Sequence, residues 1–576
     1  MAAAPGAPSG SVSRSHGGLE GSHGILYVCG EKTCGKLTIN ESLLGRKLRG
    51  IHGGYDQFVA IVDAWELEWE QSCHSDVALE HETVNDNLQH VKIHQVATGK
   101  QHRLALSLDG QIFSWGARDS ALQNRELGQV GGCNGPRLPK SSSKQSQRVC
   151  TSPETGDDEV DEQERQAMCH GHTICQPRSV HTSKELFFRR IACGRSHGAA
   201  ITDKGDLYTW GRNFEGQLGH FSRTLSKETN SLLNGICAWP KYVSEFLSKP
   251  RVTDVCCGEM FTVVLLENGA VYTFGERFTG ITRHPEAKWD ANPHLVIECG
   301  SDGAGFVGIA CGFAHALVVS SSGQLYSWGS NTFGQLGLGV SNSMEGATAV
   351  PTRVEMPGHE WSKVFAGGNY SAAITNSGEL FTWGNGKHGQ LAHEAFSSSA
   401  TFQCEYTPKC VEELQSTVIS SVVCCQRNLY AFAPTHIMSI SPVYGEITGG
   451  YELRIKGSGL WASEDLTVRF MPLTEGRLPR GSLGIYHDET QEIVCQVPKF
   501  SLPGEFAIEI AMNGRHFTSN GNIFCAFKRP QVTAVSIYEA KLDGGEPASI
   551  TIEGNLPKTC LNPIVRFLPY ASDNRG

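Results

Sequence analysis

A strand–turn–strand unit recurs along this chain and restricts its fold more than any other feature. The first half of the unit is an apolar run that follows a glycine, and the second half ends in a large aromatic residue followed by glycine. In five copies the two glycines are 17 residues apart. The glycine pairs are Gly99 and Gly116, Gly194 and Gly211, Gly258 and Gly275, Gly312 and Gly329, and Gly367 and Gly384. Because a chance similarity would not keep this register, we predict a family of equivalent hairpins.

The segment between the two halves has the composition of a tight turn. Each copy contains a dipeptide that ends in glycine, and glycine tolerates the positive φ that such turns require. Successive units begin 54 to 64 residues apart from Gly194 onward, which leaves room for four strands. A four-stranded unit has two faces to bury, so it needs a neighbour on each side. The turn dipeptides are Asp109-Gly110, Lys204-Gly205, Asn268-Gly269, Ser322-Gly323 and Ser377-Gly378.

The loop after the second half carries the most specific motif. From Leu325 to Gly337 the sequence reads LYSWGSNTFGQLG. This segment resembles the signature of the regulator-of-chromosome-condensation repeats, and the resemblance covers roughly residues 25–434. It implies an all-β chain with a seven-bladed β-propeller whose family members bind partners through their two faces.

Incomplete units at the two ends of this region bring the predicted number of blades to seven. A degraded copy runs from Gly53 to Glu70, and a last first half begins at Cys425. Residues Ile25 to Gly30 form a second half that has no first half before it. We predict that this segment pairs with the strand Asn428 to Ala433. That pairing would close the propeller over residues 25–433 and leave no long sheet edge exposed.

Two polar segments are predicted to be disordered. Residues 1–24 are rich in Ala, Gly, Ser and Pro and have no apolar core typical of a signal peptide. Residues 117–184 interrupt the second blade with a serine run and an acidic run. We interpret this insert as a solvated loop, with a partner-binding segment as the alternative. No run in the sequence is suited to span a bilayer, so we expect an intracellular protein, cytoplasmic or nuclear.

From Pro434 the pattern changes to short alternating strands between turn signals, which is typical of a β-sandwich. This region resembles an IPT/TIG domain, the immunoglobulin-like fold shared by plexins and certain transcription factors. The interval from a strand glycine to a closing phenylalanine is 13 residues for Gly457 and Phe470, and again for Gly554 and Phe567. We predict an IPT/TIG domain over 434–529 and an incomplete second one over 530–576, as expected of a fragment or a shortened gene model.

The chemistry of the cysteines predicts neither a disulfide framework nor a metal site. Several of the 20 cysteines recur within the strand motif, whereas disulfide frameworks belong mainly to short secreted chains, so we expect reduced thiols. The most metal-like cluster is Cys169, His170, His172 and Cys175. Its spacing matches no standard zinc pattern. We predict no bound metal and no cofactor.

Three histidines occupy one repeat position, three residues after the first glycine. They are His102, His197 and His315, and in a propeller they would belong to one ring. A metal site is one interpretation of that ring. Other blades place Phe261 and Tyr370 there, so we favour a packing or hydrogen-bonding role.

The tryptophans that close the hairpins invite a comparison with a plant ultraviolet photoreceptor, which is similar in its propeller and senses light through clustered tryptophans. Its Gly-Trp-Arg-His-Thr signature is absent from this sequence. We therefore predict that these residues form the core of the blades. They are Trp115, Trp210, Trp328 and Trp383.

No set of catalytic residues stands out, because the sequence has no phosphate-binding loop, nucleophile elbow or zincin helix. We predict no catalytic residues and interpret the chain as a non-enzymatic scaffold for protein partners. The family resemblance leaves two alternatives open. One is a guanine-nucleotide exchange factor, with a small GTPase as partner, and the other is chromatin or DNA association. The net charge of −10 argues against nucleic acid, since it gives no general attraction to phosphates.

Overall fold

Each complete repeat unit is an antiparallel hairpin in the computed structural model. His197 pairs with Gly211, and His315 pairs with Gly329 in the same register two blades later. The turn glycine Gly205 has a φ of 86°, a conformation that residues with a side chain rarely adopt. Because successive side chains of a strand point to opposite faces, the common register gives equivalent residues equivalent neighbours.

The structure describes a defined part of the chain, which forms two units. The first unit ends at Ala433 and the second continues from Pro434. The described residues are 18–55, 57–62, 65–71, 88, 90–100, 102–116, 178–180, 186–220, 236–276, 289–339, 346–393, 404–415, 417–474, 476–514, 517–518, 522–536 and 550–553.

The first unit is built from strands and a few single-turn 3-10 helices. Its strands are β1 (Gly18–Ser22), β2 (Gly24–Gly30), β3 (Thr38–Ile39), β4 (Leu48–Gly54), β5 (Gln57–Val62), β6 (Glu66–Gln71), β7 (Ile93–Thr98), β8 (His102–Ser107), β9 (Ile112–Gly116), β10 (Arg178–Ser179), β11 (Phe188–Cys193), β12 (His197–Thr202), β13 (Leu207–Arg212), β14 (Ile236–Tyr242), β15 (Val252–Cys257), β16 (Phe261–Leu266), β17 (Val271–Glu276), β18 (Trp289–Ile297), β19 (Phe306–Cys311), β20 (His315–Ser320), β21 (Leu325–Ser330), β22 (Ala347–Arg353), β23 (Trp361–Gly367), β24 (Tyr370–Thr375), β25 (Leu380–Gly384), β26 (Glu405–Cys410), β27 (Ser421–Cys424) and β28 (Asn428–Pro434). The 3-10 helices are Glu31–Thr33, Glu41–Leu43, Ser244–Phe246 and Glu412–Leu414.

These strands form seven four-stranded sheets, which we number as blades one to seven. In blade order the sheets are β1-β4-β5-β6, β7 to β10, β11 to β14, β15 to β18, β19 to β22, β23 to β26, and β27-β28-β2-β3. The seventh blade therefore combines strands from both ends of the region, with β2 beside β28. The predicted ring closure is confirmed.

The core of the propeller lies between its blades. Each of seven clusters of buried apolar side chains contains residues from two neighbouring blades. One of them joins blade seven to blade one, where Phe58 and Tyr430 stack with their ring centroids 4.0 Å apart. The closing tryptophans belong to these clusters and are at most 1% exposed, which confirms them as core. They are Trp115, Trp210, Trp328 and Trp383.

Two short strands lie where disorder was predicted. Residues Gly18–Ser22 pair with β4, and Arg178–Ser179 pair with β9 as the fourth strand of blade two. In both cases backbone groups at the edge of a sheet find partners, and this pairing needs no apolar pattern in the added strand. The prediction of disorder is wrong for these residues. Apart from residues 178–180, the predicted insert, including the Cys169 to Cys175 cluster, lies outside the described residues, as do residues 1–17.

The second unit is a β-structure of the predicted immunoglobulin-like class. Its strands form one eight-stranded, nearly closed sheet in the order β29-β31-β34-β33-β32-β35-β36-β30. Phe470 packs at its centre, with ring centroids 5.6 Å from Phe500 and 5.8 Å from Phe524. The strands are β29 (His436–Ser441), β30 (Tyr444–Glu446), β31 (Glu452–Ser458), β32 (Thr467–Pro472), β33 (Arg480–His487), β34 (Glu492–Gln496), β35 (Gly504–Ala511) and β36 (Asn522–Phe527).

The second copy of the C-terminal pattern is described only in part. Strands β37 (Gln531–Val535) and β38 (Ile550–Glu553) pair as a two-stranded antiparallel sheet. Residues 537–549 and 554–576 lie outside the described part. Within the part of the chain that is described, no helix has the length and apolar character needed to cross a membrane.

Candidate functional site

The repeat signature assembles on one face of the propeller. In each blade the innermost strand ends, the second strand begins and the third strand ends on the same side, because neighbouring strands are antiparallel. Two kinds of loop therefore emerge together. In blade three they are the turn 194–196 and the loop 211–220. We call the side formed by these loops and their equivalents the signature face.

The residue after each first glycine takes part in a ring of backbone hydrogen bonds around the mouth of the central channel. The amide of Arg195 donates to the carbonyl of Glu259 at 3.3 Å. The amide of Glu259 donates to Phe313 at 2.9 Å, and that of Phe313 donates to Gly368 at 2.8 Å. Each bond joins one blade to the next, so the ring fixes the relative position of the blades at the signature face.

Aromatic side chains of this ring meet across the channel mouth. Tyr55 of blade one and Phe313 of blade five have ring centroids 5.0 Å apart. Tyr55 has a φ of 50°, an uncommon backbone conformation for a residue with a side chain. Burial raises the pKa of its hydroxyl. Beside them, Arg195 and Glu259 form an ion pair between blades three and four.

The loop after the closing tryptophan is held by its signature residues. In blade five the amide of Leu336 donates to Asn331 Oδ1 at 3.1 Å, and the amide of Phe333 donates to Gln335 Oε1 at 2.8 Å. Asn331 and Gln335 are buried at 2% and 0% exposure. Equivalent bonds in blade three are Leu218 N to Asn213 Oδ1 and Glu215 N to Gln217 Oε1. In blade six the glutamine bond recurs as His388 N to Gln390 Oε1, whereas glycine occupies the position of Asn331, and the amide of Lys387 donates to Asn385 Oδ1 one position earlier.

The residues at the tips of these loops are not repeated, and they face outward. Phe214 is 45% exposed and lies under the guanidinium of Arg212, which is 5.7 Å from its ring centroid. The ammonium of Lys387 in blade six lies 5.3 Å from the ring centroid of Phe333 in blade five. Adjacent loops thus present aromatic and cationic groups side by side.

The three repeat histidines lie between blades. His197 Nε2 is 3.0 Å from Thr262 Oγ1 of the next blade, and His315 Nε2 is 2.9 Å from Ser371 Oγ. Burial lowers the pKa of both histidines to about 3 and that of His102 to about 4. Each ring is therefore neutral at physiological pH, and two of them have the hydrogen-bonding role favoured by the sequence.

Metal-ligating groups do not converge in the part of the chain that is described. There, no group of three or more His, Cys, Asp and Glu side chains is arranged to hold a metal ion. None of the described cysteines forms a disulfide. Several of them line a central cavity of about 190 Å³, which is bounded by the inner strands of all seven blades.

Sequence reasoning missed the channel-mouth residues. Tyr55, Arg195, Glu259 and Phe313 occupy one repeat position but share no chemistry, so no motif marks them. The only available signal was their place immediately after the first glycine.

Comparison with known proteins agrees with this architecture. A family model described as the RCC1-like domain matches residues 25–438, and one described as the IPT/TIG domain matches residues 434–524. The chain is 28% identical over 303 residues to the ultraviolet-B receptor UVR8 of Arabidopsis thaliana, a match that covers 52% of this chain and 55% of that protein. It is 24% identical over 391 residues to the RCC2 homolog of Xenopus laevis, with 62% of each chain covered.

The chain thus spans less than two thirds of the length of these relatives. Among solved structures, that of Prp20p from Saccharomyces cerevisiae superposes with a TM-score of 0.53 at 16% identity, covering 72% of this chain and 92% of Prp20p. At this identity the likeness concerns the fold. The RCC1-like family model matches more than half of this chain, and the observed seventh blade closes the propeller that the model covers. The chain therefore belongs to the RCC1-like domain family and carries an IPT/TIG domain after the propeller.

Proposed function

We propose that this chain is a non-enzymatic scaffold that docks protein partners on the signature face of its propeller. One observation carries the proposal. In blades three, five and six a repeated glutamine side chain accepts a hydrogen bond from the loop backbone, and in blades three and five a repeated asparagine does the same, while the residues at the tips differ from blade to blade. Loops held by a rigid framework are favoured binding elements, because little ordering entropy is lost when a partner binds.

The chemistry of the tips supports the same proposal. Binding hot spots are enriched in aromatic and arginine side chains that a partner can desolvate. Phe214 with Arg212 and Phe333 with Lys387 supply such groups at two places on the same face. The ion pair of Arg195 with Glu259 adds a polar contact near the channel mouth.

The test compares three purified baits by affinity capture and mass spectrometry: the wild type, a Phe333→Ala and Lys387→Ala double variant, and Leu247→Ala as control. Leu247 is 77% exposed and follows β14 at the opposite end of the strands. A partner of the signature face binds the wild type and Leu247→Ala alike and binds the double variant at least ten times more weakly.

Lys387 and Leu247 are exposed and Phe333 is partly exposed, so melting temperatures should be similar for the three baits, since substitutions outside the packed core usually change stability by no more than about 0.5 kcal/mol. A partner that is retained by the double variant and lost with Leu247→Ala would place docking on the other face and refute the proposal.

Guanine-nucleotide exchange is a second candidate, because the Prp20p structure is described together with that protein's binding properties to Gsp1p and histones. Under this alternative the partner is a small GTPase, and the same preparation accelerates release of labelled GDP from it. Chromatin or DNA association is the third candidate, and a shift of duplex DNA at physiological salt would favour it. An intracellular location, cytoplasmic or nuclear, is part of all three proposals.

A further inference from the structure

One repeat position joins neighbouring blades on the side opposite the signature face. It lies seven residues before the first glycine of the repeat, or before Cys425 in blade seven. In five interfaces the amide of the next residue donates to the carbonyl of the turn glycine in the preceding blade. Phe306 donates to Gly269 at 3.3 Å in this way, so the five interfaces are built alike. The residues at the position are Phe187, Arg251, Gly305, Glu360 and Val418.

In four of these interfaces the side chain at this position lies over the turn glycine of the preceding blade. A Cβ atom at Gly378, for example, would lie 2.6 Å from Val418 Cγ1. Between blades four and five the residue is Gly305, so no side chain covers the turn. The other three covering side chains are those of Phe187, Arg251 and Glu360, whose Cβ atoms would lie 3.2, 2.7 and 2.8 Å from a Cβ atom on the turn glycine.

A pocket of about 150 Å³ lies beside Gly305, between blades four and five. Leu265 and Phe306 line it, and both are buried members of the apolar cluster at this interface. Glu267 in the turn of blade four and Ser321 in the turn of blade five are exposed and form its rim. An apolar cavity of this size can hold a benzene-sized group.

Folding does not require a glycine at this position. Gly305 lacks the positive φ of the turn glycines, so other residues could adopt its backbone conformation. A Cβ atom there would lie 3.3 Å from the carbonyl oxygen of Asn268, and a small shift of the turn would accommodate it. The four equivalent positions carry side chains, so the open pocket is specific to this interface.

We propose that this pocket is a docking site for a peptide segment of a protein partner, which inserts one bulky apolar side chain beside Gly305. The equivalent interfaces indicate that chemistry, since Phe187 and Val418 occupy the same place there. Insertion of an anchor residue into a pocket with a polar rim is typical of binding hot spots.

The charge of the rim adds a second requirement for the partner. Glu267 is the one charged residue among the described residues that line the pocket. A lysine or arginine next to the apolar anchor of the partner therefore complements this site. The pocket lies opposite the signature face, so this proposal does not rest on the proposed function.

The test selects random peptides displayed on phage against the complete chain and discards those that also bind Gly305→Val, in which a side chain fills the pocket as in blade seven. Glu360→Val is the matched control, because it changes the equivalent position of the next interface, where a side chain is already present. Selected peptides are synthesised, and fluorescence anisotropy measures their affinity for each protein.

The peptides should bind the wild type and Glu360→Val alike and Gly305→Val more weakly by about tenfold or more. Replacing the apolar anchor of the peptide by alanine should cause a similar loss. Glu267→Gln should cause a smaller loss that disappears at high salt, since the rim is open to solvent. Combined replacement of Phe333 and Lys387 by alanine should leave the peptide affinity unchanged, which separates this site from the signature face.

A second measurement covers the case in which Gly305→Val fails to fold. A selected peptide that carries benzophenone in place of its apolar anchor should cross-link to the wild type within residues 265–269 or 305–307, as located by mass spectrometry. Cross-links confined to other regions, equal affinity after loss of the apolar anchor, or the absence of any peptide that distinguishes the wild type from folded Gly305→Val would each overturn the proposal.

Discussion

Two interfaces between blades carry a buried histidine at the same repeat position but in different surroundings. One lies between blades five and six, and the other lies between blades two and three. At the first, His315 lies 2.9 Å from Ser371 Oγ, and Ser371 donates to the carbonyl of Gln335 at 2.7 Å. Trp383 Nε1 donates to the same carbonyl at 3.0 Å. The repeated glutamine of one blade is thus joined to the second and third strands of the next.

At the other interface, the residue equivalent to Ser371 is Gly198. A Cβ atom there would lie 2.9 Å from Trp210 Cε2, so the tryptophan ring occupies the space that a hydroxyl group would need. The ring of His102 approaches the backbone of His197, which partly offsets the effect of burial on its pKa, but it has no hydroxyl partner such as His315 has in Ser371. The repeat therefore sets where the histidine lies, while the neighbouring blade decides whether it is paired.

Acidification is expected to affect both interfaces and to have the largest effect. The folded pKa values of His102, His197 and His315 lie at about 4, 3 and 3, below the value of 6.5 for an unperturbed histidine. Below pH 6.5 the unfolded chain binds protons that the folded chain excludes, so stability falls as the pH falls. At pH 5 each histidine lowers the free energy of unfolding by about 2 kcal/mol.

Urea unfolding at pH 7.5, 6 and 5 measures this effect. His220 and His393 act in the same direction, because burial lowers their pKa values as well. A free energy of unfolding that stays constant down to pH 5 would mean that the histidines are hydrated in the folded protein.

Trp383→Ala should have the next largest effect. The side chain is fully buried between blades five and six, and its removal leaves a cavity and breaks the bond to Gln335. We expect a loss of about 3–5 kcal/mol in the free energy of unfolding. Trp239, which is 45% exposed, is the control, and its replacement by alanine should change stability little. Equal effects of the two substitutions would contradict the assigned core.

Ser371→Ala tests the paired interface directly. It leaves His315 Nε2 buried without its partner, which should cost about 1–3 kcal/mol. Ser371→Thr keeps the hydroxyl group, as Thr262 does at the equivalent position, and should retain most of the stability. Denaturant unfolding of the two variants decides the point, and a threonine variant as unstable as the alanine variant would show that packing dominates.

His102→Leu should have the smallest effect on the free energy of unfolding at neutral pH. Unlike the other substitutions, it should leave that free energy unchanged or raise it. Replacing a buried polar group that lacks a side-chain hydrogen-bond partner by an apolar group is close to neutral or stabilising by about 1 kcal/mol. The same variant should lose stability less steeply than the wild type between pH 7.5 and 5. A loss of more than 1–2 kcal/mol at pH 7.5 would reveal a partner of His102 outside the described residues.

The sequence by itself determined the hairpins, their number and the closure of the ring. A glycine at a fixed distance in sequence from an aromatic residue sets the register in which the two strands of a hairpin pair. That register can be inferred from the spacing alone. The complementary halves at Ile25 and Asn428 extended this reading to a contact between the two ends of the propeller region. By contrast, β1 and β10 carry no such pattern, because their pairing rests on backbone groups that every residue has.

Only the tertiary structure decided which side chains meet between blades. Tyr55 and Phe313 face each other across the channel because the seven blades close into a ring narrow enough for the two side chains to meet. Nothing in the local sequence around either residue specifies the other as its partner. That Cys256 and Cys311 share one buried cluster likewise depends on how two adjacent blades pack against each other. Strand periodicity specifies which face of a sheet a residue occupies, whereas its partner on the opposing sheet follows from packing, and the repeat does not encode that partner.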